Sequence, residues 1–158
     1  MDATWAKKHD KSRHGYKNHM IVEAGSKLIG RHQMTTASVS DGTMAWELLD
    51  KRDQGDDLHA DKGYDREDVK DGVASARMND CVPRQDRRHG SLSEQEKQRN
   101  TELNRVIARV EHVFQSMSEQ LGGPHRCAIG HACATFCVKL PGSCYNILRS
   151  LHLATHAT

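Results

Sequence analysis

The chain has 158 residues, 36% hydrophobic and 28% charged, with a mean hydropathy of −0.77, which gives one domain with a modest core. Its longest apolar runs, such as Met20 to Val22, are three residues, against about 20 for a membrane-spanning helix, and the start MDATWAKKH has no apolar core of a secretory signal. Five cysteines, an odd number crowded toward the C-terminus, read as reduced thiols in a cytoplasmic protein.

The net charge of +2 hides a segregation. Residues 1–33 carry seven Lys/Arg against three acids, residues 41–72 eleven acids against five bases, and residues 76–109 eight bases against five acids. A basic, acidic, basic layout suits a chain that grips a polyanion with its flanks and gathers carboxylates near a cation. A mixed solvated surface is the alternative.

In chain order, GYKNHMIVEA and KLIGRHQMT are strand-like runs joined at Ala24-Gly25-Ser26, which predicts a hairpin. Behind Ser40-Asp41, the spacing of Met44, Leu48 and of Trp46, Leu49 predicts a helix over 41–51 capped at Asp41. The run LHAD reads as a short strand ending at Asp61, followed by a turn and a helix in DREDVKDGVA. Cys81-Val82-Pro83 is the kernel of one more short strand, with a basic loop after it that is expected to be disordered. From Leu92 onward, Leu103, Val106, Ile107, Val110, Val113, Phe114, Met117 and Leu121 form one stripe of a long amphipathic helix, stopped by Gly122-Gly123-Pro124. That stripe is about 120° wide, and Glu111 falls roughly 40° beyond its edge. A last helix over 128–151 is expected to be interrupted at Pro141-Gly142.

Strands alternating with helices imply an α/β sheet, where ligands gather beyond the carboxyl ends of the strands. Asp61 has that position, and a second carboxylate on a packed helix would let the two share a hard divalent cation. Spacing alone leaves both as solvated surface residues.

Six segments add to this reading: GYKNH at 15–19, VSDG after TTAS, HADKGYDRED at 59–68, LSEQEKQRNTELNRVIARVEHVF at 92–114, GGPHRCAIG at 122–130 and YNILR at 145–149. In this order and spacing the chain resembles the IS5 group of bacterial insertion-sequence DDE transposases, of the IS4-like type. The resemblance covers nearly the whole chain. It implies a ribonuclease-H-like fold with a mixed sheet flanked by helices and long C-terminal helices. It also implies three acids that hold two Mg²⁺ (or Mn²⁺) ions and cut and rejoin double-stranded DNA at transposon ends. On this pattern Asp61 matches the second acid and Glu111 the third. The first acid belongs to a strand upstream of the segment resembling DATWAKKHDKSRHGYK; Asp2, the nearby acid, is a candidate metal ligand in its place but matches a later piece. The expectation is therefore residues 1–151 as a single partial catalytic domain, corresponding to its C-terminal portion, with 152–158 as a flexible tail. Such a chain is a catalytically silent remnant or, alternatively, a non-enzymatic DNA-binding or oligomerising fragment that modulates an intact transposase. Neither membrane nor small-molecule substrate enters either reading.

Lys7, Lys8, Lys11, Arg13 and Lys17 read as phosphate contacts or as a solvated terminus. Tyr16 is a further DNA-contact candidate, and His19 is a core or edge histidine or a neighbour of the DNA or metal. Arg105 and Arg109, one helical turn apart, read as phosphate contacts or surface ion-pair partners. His125, Cys127, His131, Cys133, Cys137 and Cys144 lack the tight pairs of structural zinc sites. Cys133 and Cys137, four apart on a helix, read as core.

Overall fold

The computed structural model describes residues 3–8, 11–86, 90–120 and 129–156. Within this range lie five strands and four α-helices: β1 (Thr4–Lys8), β2 (Lys11–Val22), β3 (Ile29–Thr36), α1 (Asp41–Leu48), β4 (Asp57–Leu58), α2 (Glu67–Ser75), β5 (Asn79–Asp80), α3 (Glu94–Gln120) and α4 (His131–His156). The chain is mixed α/β, consistent with a ribonuclease-H-like fold. It divides into two compact units, 1–48 with 112–158, and 49–111. Among the described residues no helix is long and apolar enough to cross a membrane.

The first unit is built on an antiparallel meander, β1-β2-β3. The predicted hairpin is its β2–β3 arm, closed by Lys27 N–H to Glu23 O at 2.8 Å and Glu23 N–H to Leu28 O at 2.9 Å. Sequence reading missed β1 and the first residues of β2, because TWAKK and KSRH carry lysine, arginine and histidine rather than an apolar alternation. Lysine on an edge strand discourages pairing with other chains, so that composition suits the position.

Ile29, Val113 and Met117 form the core cluster of this unit, with Met20, Val22 and Tyr145 packed against it. Helix α4 is joined to β3 through the Asn146 side-chain amide, whose Oδ1 accepts from Ile29 N–H at 2.9 Å and whose Nδ2 donates to Ile29 O at 2.8 Å. His131 meets Met34 O at 2.9 Å, and Arg149 Nε donates to Ser26 O at 2.7 Å.

The expected break at Pro141-Gly142 does not occur: α4 runs through both residues, which are buried. A Cβ at Gly142 would sit 3.7 Å from Ile29 Cδ1 and 3.8 Å from Met117 Cε. Pro141 forfeits one backbone donor, and this packing offsets that loss. The helix continues to His156, into the stretch read as a tail.

Helix α1 stops at Leu48 rather than 51, because Asp50 turns the chain. Its carboxylate accepts from Arg52 N–H at 2.6 Å, Asp53 Oδ2 accepts from Asp50 N–H at 2.7 Å, and a 3-10 turn follows over Lys51–Asp53. The Asp41 carboxylate, read as a cap, is instead 3.3 Å from Lys17 Nζ and 3.7 Å from His19 Nδ1. Met44 and Leu48 are buried as the spacing predicts.

The second unit holds β4 and β5, a two-residue parallel pair. The strand expected in Cys81-Val82-Pro83 is displaced to Asn79–Asp80. Pro83 has no donor, and Val82 N–H is taken by Asp80 Oδ1 at 3.0 Å, so the kernel is irregular though Val82 and Pro83 are buried. Val69 and Val73 of α2, four apart, are also buried in this unit.

Helix α3 starts with a reciprocal cap: Ser93 Oγ accepts from Glu96 N–H at 3.2 Å while Glu96 Oε2 accepts from Ser93 N–H at 2.9 Å. Val113 and Met117 of its predicted stripe are buried, whereas Phe114 is 41% exposed. The helix stop at 122–124, Leu121 and most of the basic loop, 87–89, lie outside the described residues.

Asn146→Ala leaves both Ile29 backbone groups unpaired, and we expect it to cost about 1–3 kcal/mol, read as a lower urea midpoint at unchanged m-value; an unchanged midpoint would remove Asn146 as the tie between α4 and β3.

Candidate metal centre

Asp61 follows β4 by three residues and is the N-cap of a 3-10 turn, Lys62–Tyr64. Its backbone oxygen accepts from Tyr64 N–H at 2.8 Å, while its side chain makes no capping bond and is exposed. Glu111 is exposed on α3. Both belong to the second unit, and among the described residues neither carboxylate has a hydrogen-bonding or ionic partner. Exposed, unpaired oxygen donors on fixed backbone are of the type that hard divalent cations use. Asp2 lies outside the described residues.

The chain after Asp61 is held by a polar clasp. Arg84 bridges two acids, donating through Nη1 to Asp65 Oδ1 at 3.1 Å and through Nη2 to Asp80 Oδ2 at 2.7 Å. Lys70 Nζ reaches Asp65 Oδ1 at 3.3 Å, and Gln85 N–H donates to Asp65 Oδ2 at 2.8 Å. Helix α3 grips the same loop from its own side chains. Asn100 pairs with both backbone groups of Arg84 at 2.9 Å, and Arg99 donates to Val82 O at 3.0 Å and Asp80 O at 2.7 Å.

Burial alone would raise the Asp65 pKa, but the Gln85 N–H, Lys70 and Arg84 outweigh it and hold the carboxyl below its ordinary value. Asp80 is likewise lowered, burial being outweighed by the Val82 N–H, Arg84 and Arg99. Nothing in residue spacing signalled this clasp, since its members are 4 to 20 positions apart and hydrophilic.

Beside it, Asp57, His59 and Cys81 bring one ligand atom each within 4.8 Å of one another. Asp57 lies on β4 and His59 directly follows it, and Cys81 follows β5, tied to β4 by its N–H to Leu58 O at 3.1 Å. Burial lowers the His59 pKa against the pull of Asp57, and burial followed by Asp57 raises the Cys81 thiol. Sequence reading passed over this group; the D-x-H alternation next to a cysteine-bearing strand was its one signal.

The other candidates divide. Lys17 Nζ donates to Val39 O at 2.9 Å and faces Asp41, so it braces α1 against β2. Tyr16 stacks edge-on to His131, ring centroids 5.7 Å apart. His19 is buried, as one of its readings has it, bonded to Thr35 Oγ1 at 2.8 Å, and its pKa is lowered by burial in spite of Asp41. Arg105 and Arg109 are exposed and, among the described residues, have no side-chain partner. The side chains of Lys7, Lys8, Lys11 and Arg13 lie outside the described residues.

Of the zinc candidates, His125 and Cys127 also lie outside the described residues, and among those described the α4 cysteines join no metal-ligating group. Cys133 is exposed rather than core, and Cys137 and Cys144 are half-buried.

The family described as "Transposase DDE domain" matches residues 1–135. The chain is also similar to the "Transposase for insertion sequence element IS1106" of Neisseria meningitidis serogroup B, 26% identical over 149 residues, covering 94% of this chain and 51% of that protein. It therefore spans about half the length of this curated relative. No solved structure matches.

Arg84→Ala strips Asp65 and Asp80 of their shared cation, and we expect a loss of about 1.5–3 kcal/mol in urea unfolding. Both carboxyls sit below the ordinary 3.8. Their contribution is therefore complete above that value and disappears as pH falls through the lowered ones. Stability should fall more steeply on acidification in the parent than in Arg84→Ala; equal slopes would remove the clasp as the cause.

Proposed function

The chain belongs to the transposase DDE-domain family, and from that premise we propose that it serves DNA transposition, with Asp61 and Glu111 as ligands of Mg²⁺ or Mn²⁺. The observation that carries the assignment is the placement of Asp61: exposed, unpaired, just beyond the carboxyl end of β4, in a segment tied through Asp65 to Arg84, whose backbone is held in turn by Asn100 of the helix that bears Glu111. The order of the six motifs supports the finer assignment to the IS5 group and to the C-terminal portion of its catalytic domain. A DNA substrate accords with a cytoplasmic location.

The donor types fit the ions. Bound at these carboxylates, a pair of divalent cations would lower the pKa of an attacking water or 3′-hydroxyl and neutralise the leaving oxygen of an in-line phosphoryl displacement. The carboxylates themselves do no acid-base work; they hold and space positive charge. Asp65, Arg84 and Asn100 fix the backbone beyond Asp61, which limits the excursions of its side chain. Arg105 and Arg109 offer unpaired guanidinium groups on the same helix as Glu111, suited to DNA phosphates.

A second reading, an oligomerising fragment that modulates an intact transposase, is favoured by the apolar side chains that α4 exposes: Phe136 at 64%, Leu140 at 49%, Ile147 at 61% and Leu151 at 60%. Light scattering tests it, with a monomer at all concentrations counting against it.

Two measurements test the main reading. Loaded with iron(II) and ascorbate, the chain should undergo backbone scission near residues 61 and 111, and Asp61→Asn or Glu111→Gln should abolish both cuts. Scission at neither position, or cuts that survive the substitutions, would sink the shared site. In fluorescence-anisotropy titrations on duplex DNA, Arg105→Ala and Arg109→Ala should each weaken binding irrespective of sequence and reduce the slope of log K against log salt by about 0.9; an unchanged slope removes them from the interface.

A further inference from the structure

Asp57, His59 and Cys81 form a cluster that the phosphodiester chemistry does not use. We propose that they constitute a second metal site, of the zinc type, separate from the Asp61 and Glu111 carboxylates. It holds one oxygen, one nitrogen and one sulfur ligand and leaves a fourth position open.

The donor set selects the ion. Thiolate and imidazole suit Zn²⁺, whereas Mg²⁺ takes oxygen ligands and would find only one carboxylate here. In a tetrahedral zinc centre neighbouring ligand atoms stand about 3.3–3.8 Å apart, from metal distances of about 2.0–2.3 Å. The three atoms already lie within 4.8 Å of one another, so closure asks for about 1 Å of side-chain adjustment.

Three further features point the same way. His59 Nδ1 is buried and has no hydrogen-bonding partner among the described residues, a cost that a metal bond removes. Asp57 Oδ1 is oriented by Asn79 Nδ2 at 2.8 Å, the outer support that metal carboxylates generally have, while Oδ2 stays available. Cys81 is fixed to the opposite strand by its N–H to Leu58 O. One ligand, Asp57, lies on a two-residue parallel ladder, and His59 and Cys81 directly follow its two strands; the ladder has too few backbone bonds to hold itself rigidly. A bound ion staples β4 to β5 two residues before Asp61. Binding takes Cys81 as the thiolate, its proton leaving to solvent.

This inference does not rest on the transposition reading, and its test reads no DNA chemistry. Cobalt(II) is titrated into the full 158-residue chain under reducing conditions, followed by zinc(II) as competitor. The parent should show a thiolate-to-cobalt charge-transfer band and tetrahedral d–d bands, both displaced by zinc. Cys81→Ser should lose the charge-transfer band. His59→Gln, which keeps the thiol, should weaken zinc binding at least about tenfold, with far-UV circular dichroism confirming that it folds. Asp61→Asn and Glu111→Gln should bind as the parent does. No charge-transfer band in the parent, a band that persists in Cys81→Ser through another cysteine, or affinity unaffected in folded His59→Gln would each overturn the site.

Discussion

A carboxylate can organise divalent ions only if its backbone stays in place, and in the second unit that constraint is met by one guanidinium. Arg84 spans Asp65 and Asp80, one on the segment that follows Asp61 and the other at the end of β5. Two negative charges brought this near would repel, and Arg84 between them converts repulsion into a cross-link. The geometry is that of a planar fork with acceptors at separate nitrogens, which lysine could not reproduce. Because Asn100 and Arg99 hold the backbone of the same loop, the acid-bearing segment is referred to α3 through side chains rather than through a continuous sheet. The β4–β5 ladder is too short to provide that service alone.

This arrangement explains the division between what residues spell out and what they hide. Elements whose cause is local or periodic were legible: the hairpin at Ala24-Gly25-Ser26, the Met44/Leu48 face of α1 and the Val113/Met117 stripe of α3; the short strand expected to end at Asp61 exists but stops at Leu58. Elements whose cause lies in a distant partner were not. β1 is held by pairing with β2 and shows no apolar alternation of its own. The proline in α4 reads as a break, yet burial beside β3 carries the helix through it. Asp41 has a capping residue's position and spends its carboxylate on Lys17 instead. Each case is a local propensity overruled by a tertiary contact.

The candidate site divides along the same line. Asp61 and Glu111 were reached by motif and helical phase, and the structure adds their exposure and lack of partners. The clasp and the Asp57, His59, Cys81 group could not be reached that way, since each joins residues brought together by the crossover through α2 that sets β5 parallel to β4.

Hardness of donors keeps the two proposed metal sites apart although His59 and Asp61 are two residues from each other. A site made of carboxylate oxygens that retains water suits an ion which must admit phosphate oxygens and exchange them. A site holding imidazole and thiolate binds a borderline ion firmly and resists such exchange. Placing the second kind at the strand pair and the first kind just beyond it divides the labour: one ion would fix the ladder, and the others would meet the DNA. The pairing of strands is what makes this division possible, because it brings Cys81, just after β5, beside Asp57 of β4 and the His59 that follows β4, while the turn at Lys62–Tyr64 begins from Asp61 with its carboxylate in solvent.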